Sequence, residues 1–426
     1  MHTQTDSNVK DVFFDPLKNA FEQCKNKRCC LEFSDWDFLV SGVSRVLSDV
    51  RSGRDFVQQA QSQYQQASIS VGRFFDALSS SRRTQLVSEL AHLLRTKLDQ
   101  GIKEFDRLSQ IEALSEFEVY ATDGHCHGSS AHETAIQGKK RATNHIFSLN
   151  LRSQSLSLLC SCKPDKGKKK KHEITALKEL EGSALRMGHG KGKKVIHVYD
   201  PAIVDYRQWH KWKQGRGIYI ITREKDNSAL ETMAEPGYDH SDPLNAGVQC
   251  DEFVGSSCSG EMLRRVTYQA PETGKIFRFI TNEMRLPPGV IALLYKMRWD
   301  VEKVFDQTKN KLCEKQSWTK TNAGKKQQAC FMAMTHNLML ILERTLERTE
   351  NIRDELALKK RTVRAKKQQC IARDAQRAFN PFILSLSRPT QRSLQFIRWL
   401  RTQFIIKLPW RQAIEQLGPL MANYIT

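Results

Sequence analysis

The apolar residues of this chain change their period near residue 117, and that change limits the folds open to it. Before it the pattern is helical. Ser34 can cap a helix whose apolar residues Trp36, Leu39, Val40, Val43, Val46, Leu47 and Val50 recur at the i, i+3, i+4 spacing of one buried face. A Gln/Ser-rich link over 58–70 leads to a short run around Phe74, Phe75 and Leu78. The turn Ser79-Ser80-Ser81 then opens a longer helix with Leu86, Leu90, Leu93, Leu94 and Leu98. Two helices across a short polar turn fit either a helix-turn-helix or an ordinary bundle.

After residue 117 the period becomes two. Phe117 to Thr122 alternates as a strand and ends at Asp123-Gly124; 144–151 and 155–161 alternate as a hairpin around Arg152-Ser153-Gln154. A helix over 174–180, a strand over 195–199 ending at Asp200, a helical piece over 204–213 and a strand over 217–222 follow. Hairpin strands followed by helices alternating with strands predict an α/β fold with a mixed sheet. Residues 223–285 are turn-rich with β-like runs and read as a β-rich insertion. Pro287-Pro288-Gly289 opens a long helix, and another spans 330–348. We therefore expect three parts: a helical N-terminal domain over 1–112, which would bind DNA if its helices form a helix-turn-helix, an α/β core over 113–345 and a basic helical C-terminal region over 346–426.

Charge narrows the partners. Lysine and arginine number 67 against 47 acids, a formal net charge of +20, and such an excess predicts a polyanion, nucleic acid before an anionic membrane. Between Arg353 and Arg377 nine lysines and arginines face three acids. The longest apolar stretch, Phe331 to Leu342, is twelve residues with Thr335, His336 and Asn337 inside it. A bilayer span needs about 20. Met1 to Ser7 holds no apolar run, so no secretory signal is expected. The 11 cysteines should be mostly reduced thiols in a cytosolic compartment. Cys24, Cys29 and Cys30, the run Asp123 to His127, and Cys160 with Cys162 all lack zinc-finger spacing. No GxxxxGK[ST] loop occurs, so a motor or kinase is not expected.

Two observations carry chemistry. Asp123 and Asp200 each end a strand of one sheet, where carboxylates can converge, although aspartate also ends strands as ordinary turn chemistry. The helix after Pro287 adds a polar stripe: at about 100° per residue, Tyr295, Arg298, Glu302 and Lys309 fall within roughly one 60° arc. Its apolar residues, among them Leu294, Met297, Val301, Val304 and Phe305, lie to one side. An i,i+4 ion pair accounts for Arg298 with Glu302 but not for the tyrosine. Asp306, one turn beyond Glu302, is a rival acid. Trp299 could stack on a displaced base, whereas Trp209 and Trp212 read as core. Asp205, only five residues past Asp200, is another rival acid, with a helix cap or a surface role as its plainer reading. His125 and His127 fit either a place behind the acids or an exposed loop. The Lys163 to Lys171 run fits a solvated loop or a phosphate clamp.

The spacing Tyr295-x2-Arg298-x3-Glu302-x6-Lys309 resembles the Y-(2)-R-(3)-E-(6)-K signature of the insertion-sequence-four family of DDE transposases. Val198 to Trp209 resembles that family's second-aspartate region, and Ala121-Thr-Asp-Gly124 its first. The resemblance covers about residues 115–345. It implies a ribonuclease-H-like core in which Asp123, Asp200 and Glu302 hold two Mg²⁺ ions, Mn²⁺ being possible. Tyr295, Arg298 and Lys309 would contact DNA phosphates, with Trp299 beside them. It also implies double-stranded DNA partners (transposon inverted-repeat ends and target), a homodimer on DNA, no membrane, and a cytoplasmic, nucleoid-associated place in a bacterium. A nuclease of the same core without strand transfer, and an inactive DNA-binding derivative, are the other classes the residues allow.

Overall fold

The computed structural model describes residues 7–422 apart from 26, 29–31, 51, 63–68, 102, 136–141, 163–171, 191, 257–260 and 383–389. The lysine run at 163–171 thus lies outside the described residues.

The N-terminal part is helical: α1 (Val9–Gln23), α2 (Asp35–Leu47), α3 (Gly53–Ser62), α4 (Val71–Ser79) and α5 (Ser81–Gln100). Polar residues set several starts. The Ser34 hydroxyl accepts from the Asp37 amide at α2, and the Ser80 hydroxyl from the Arg83 amide at α5. These helices pack on α11 (Asn322–Thr349), whose middle is buried nearly all round. Phe38 meets Phe331 edge to face with centroids 5.5 Å apart. Gly42 permits this approach, because a Cβ there would overlap the Phe331 ring. The turn between α4 and α5 is itself tied down, since Gln327 of α11 donates to the Ser80 carbonyl and the Thr84 hydroxyl.

A nine-stranded mixed sheet carries the centre, in the order β3-β2-β1-β4-β5-β9-β8-β7-β6. Its strands are β1 (Phe117–His127), β2 (Thr143–Asn150), β3 (Leu156–Cys162), β4 (Lys194–Val198), β5 (Ile218–Arg223), β6 (Leu230–Ala234), β7 (Val248–Ser256), β8 (Met262–Gln269) and β9 (Ile276–Thr281). The first three are antiparallel, while β4 and β5 run parallel to β1. Such parallel neighbours need crossovers. Here α6 (Glu173–Lys178) and α7 (Gly182–Leu185) link β3 to β4, and α8 (Tyr206–Arg216) links β4 to β5. Strands β6 to β9 extend the sheet as an antiparallel meander joined through β9 to β5. The expected α/β class, with a β-rich stretch and helices at both ends, is what forms, and the 3-2-1-4-5 part is consistent with a ribonuclease-H-like core.

Two expectations shift. The strand at 117–122 continues to His127, so His125 and His127 are strand residues, 1% and 0% exposed, rather than loop residues. The helix after Pro287 is not one straight rod. It runs as α9 (Pro288–Met297) and α10 (Trp299–Asp306), then widens into a π turn over Gln307–Lys311. The Val301 amide reaches only to the Arg298 carbonyl, whereas the Leu312 amide reaches back five residues to Gln307. The Arg392 amide donating to the Gln307 side chain at 2.6 Å pins this wide turn from the C-terminal part. That part comprises α12 (Glu355–Asp374), α13 (Leu394–Ile406) and α14 (Trp410–Ala422). Among the described residues no helix is long and apolar enough to cross a membrane.

Candidate active site

Strand register brings the two aspartates together. Parallel pairing of β1 with β4 ends at Ala121 and Val198; two residues further on along each chain stand Asp123, still within β1, and Asp200, just past β4 and within electrostatic reach of Asp123. Tyr199 holds the end of β4 in the sheet through its amide to the Ile221 carbonyl, and Asp200 closes a turn by accepting from the Ala202 amide. Asp123 accepts from the Gly124 amide at 2.7 Å.

Helix α10 supplies the third acid. Arg298, at the joint between α9 and α10, sends one guanidinium nitrogen to Asp123 at 3.2 Å and another to Glu302 at 2.7 Å. One buried arginine therefore bridges the strand acid and the helix acid. Its Nε is buried without a partner. Burial pushes the Asp123 carboxyl up to about 7; Arg298 and the Gly124 amide pull the other way, and Glu173 and Asp200 add to the rise. Glu173, at the start of α6, is a fourth acid that the sequence did not single out. It comes so near Gly124 that a Cβ there would overlap its carboxylate. Its only sequence signal is a position at the start of a helix after the hairpin.

Tyr295 and Trp299 stay with Arg298, whose guanidinium lies 5.7 Å and 5.5 Å from their rings and interacts with the Tyr295 hydroxyl, whereas Lys309 departs. Tyr295 is half-buried, its ring 4.8 Å from Phe279, and it lines an apolar pocket of about 270 Å³ with Tyr268, Phe277 and Trp299. Trp299 is 56% exposed and lies 5.5 Å from the Arg298 guanidinium. Lys309 sits in the π turn, where the phase of the preceding helix no longer applies, and faces His125 and His127. Burial first, then Lys309 and His145, lower His125 to about 3. Asp306 is exposed and taken up by Asn310 at 2.6 Å and Gln391 at 2.7 Å. Asp205 caps α8, and Trp209 and Trp212 are core.

The donor set suits a hard divalent cation: three carboxylates of which one is raised by burial and by neighbouring acids, with one arginine shared between two of them. The carboxylate oxygens of Asp123, Asp200 and Glu302 do not all lie within 4.8 Å of one another. Among the described residues the His/Cys/Asp/Glu group that does meet that distance is Glu235, Cys250 and Glu252, in the meander. There Glu252 is already held by Arg265 and Thr232.

Parts of this chain are similar to known proteins. Over 121 residues the chain is 26% identical to a Sinorhizobium fredii protein named "Putative transposase y4zB", a stretch covering 27% of this chain. The match spans 33% of that relative, about a third of its length. Residues 151–338 match the family described as Transposase DDE domain, a range that contains Asp200 and Glu302 and begins after Asp123. The matches support a DDE transposase, and the central part of this chain is similar to the transposase DDE domain.

Proposed function

We propose that this chain is a DNA transposase of the insertion-sequence-four type, which cuts the ends of its own element and joins the freed 3′-hydroxyls to target DNA. The observation that carries the reading is Asp123 of β1 near Asp200, just past the end of the adjacent β4, with Glu302 of α10 joined to Asp123 through Arg298. Asp123, Asp200 and Glu302 would hold two Mg²⁺ ions, or Mn²⁺. Such ions, when bound, activate the attacking oxygen and stabilise the leaving one at a phosphodiester.

The chain's own residues do the rest. Arg298 aims Asp123 and Glu302 before DNA arrives, and its guanidinium, with Tyr295 beside it, would contact a phosphate near the cut. Trp299, exposed beside it, offers a face to a base near the cut. Lys309, behind the buried histidines, adds positive charge at one edge of the site. Residues 1–112 would recognise the inverted repeats, with the basic 346–426 region assisting and a homodimer coordinating the two ends.

The test is a duplex carrying the inverted repeat that flanks the gene, incubated with the purified protein and Mg²⁺. We expect strand cleavage and, from a pre-cleaved end, joining to a target plasmid. Cleavage without joining would leave a nuclease of the same core; neither reaction would sink the proposal.

A further inference from the structure

Beside the site, on the other side of α10, lies an open cleft of about 610 Å³ between that helix and α12. Seven lysines and arginines line it against a single acid, Asp300. That acid is already matched: Arg107 and Lys303 each approach it at 2.7 Å, and Arg361 stands at 3.8 Å. Lys296 and Arg392 meet Glu272 at 3.6 Å and Glu343 at 2.7 Å at the cleft's edge, so the positive excess that remains rests on Lys311, Arg364 and the three cations crowded on Asp300. The guanidinium of Arg361 is made less basic by burial first and by Arg107, with Asp300 pulling the other way and Arg364 adding to the effect, as expected of several cations crowded around one acid.

Helix α12 points the same way. It carries Lys359, Lys360, Arg361, Arg364, Lys366 and Lys367, and its Val363 is 66% exposed. A helix polar on nearly every side gains little from apolar burial, so its composition calls for another purpose. It is held beside the site by polar contacts, Arg361 to Asp300 and the Gln368 amide to Glu272 at 3.4 Å.

We infer that the cleft between α10 and α12 binds a single strand of DNA, with its phosphates on Lys303, Arg361 and Arg364. The volume is that of a small-ligand pocket and takes about two nucleotides of one strand, far short of a duplex. Trp299 stands at its lip, and Glu302 lies on the neighbouring face of the same helix. A strand unpaired near the acids would thus cross Trp299 directly into the cleft. The identity of that strand rests on the transposase reading, but its binding does not require cleavage.

The experiment is fluorescence anisotropy with a short labelled single-stranded oligonucleotide and, separately, a blunt duplex, both in EDTA. Arg361→Ala/Arg364→Ala should weaken single-strand binding about tenfold or more, and flatten the slope of log affinity against log salt by about 1.4, that is about 0.7 for each lost phosphate contact. Duplex affinity should change much less. Lys303→Ala, at a half-exposed side chain, is the second variant should the double variant melt early. Equal losses on both DNAs, or unchanged single-strand affinity, would overturn the cleft. Wild-type protein that binds the single strand through these residues yet never cleaves DNA would keep the cleft and reject the transposase reading.

Discussion

Asp123, on the strand beside α10, and Asp300, within α10, sit in opposite electrostatic states. Burial works to raise Asp300, but Arg107 and Lys303 outweigh it and hold the carboxyl well below the usual range. At Asp123 burial prevails, because its one arginine is shared with Glu302 and other acids stand near. A buried acid matched by its own cations is finished as structure. A buried acid left short of positive charge has a place for a further cation. Opposite sides of one short helix thus serve different ends.

The sharpest way to break this contrast is to neutralise each acid. Glu302→Gln or Asp123→Asn should reduce Mg²⁺-dependent cleavage of a transposon end to background. Neither should lower the melting temperature of the metal-free protein by much, since Asp123 carries its charge against burial. A variant that melts early and regains cleavage at low temperature would place these acids with Asp300.

Asp300→Asn should do the reverse. It leaves Arg107 buried without a counter-charge, a loss of about 3–5 kcal/mol of folding stability. Denaturant unfolding of the variant measures it. A loss below about 1 kcal/mol would mean that the pair resembles an ordinary surface bridge.

Acidity distinguishes the two as well. Asp123 binds its proton more tightly folded than unfolded, so its contribution is intact below about pH 4 and is lost as pH rises through about 7. Asp300, held low, contributes above about pH 4 and loses that only in stronger acid. Melting of the metal-free protein should therefore fall between about pH 4 and 7, more steeply in wild type than in Asp123→Asn. Divalent-cation affinity should rise over the same range, because the cation must displace the Asp123 proton. A wild-type slope equal to that of the variant would remove Asp123 as its source.

Much of this contrast could be read in the chain, and some could not. The start of β1, the end of β4 just before Asp200, the Ser34 cap and the i,i+4 spacing of Arg298 and Glu302 are local, so periodicity exposes them, although Asp123 lies inside β1 and not at its end. The π turn at 307–311 is not local; it depends on Arg392, some eighty residues on in sequence, binding Gln307. The extension of β1 was hidden because its inward residues are His125 and His127, which do not read as apolar although both are buried. Glu173 and the Arg107–Asp300 pair are brought in by crossovers and long-range packing, which no spacing within a helix reveals.

Asp306 gives the smallest expected effect and the finest test. It follows Glu302 by one turn and, on an ideal helix at about 100° per residue, lies only about 40° from it, so helical phase barely separates the two. Their partners do. Glu302 turns toward Asp123 through Arg298, while Asp306 is exposed and accepts from Asn310 and from Gln391 of the C-terminal part. An exposed carboxylate engaged by two neutral amides has little reason to leave them for the sheet, and the longer glutamate side chain reaches further from the helix. Asp306→Asn swaps one acceptor oxygen for a donor at the surface, a change worth roughly 0.5 kcal/mol or less in stability. Nicking of a transposon-end duplex in Mg²⁺ should stay within about threefold of wild type, since 0.5 kcal/mol is about a factor of two. A dead Asp306→Asn beside an active Glu302→Gln would move the third ligand one turn along α10 and place it with the residues that hold the C-terminal part.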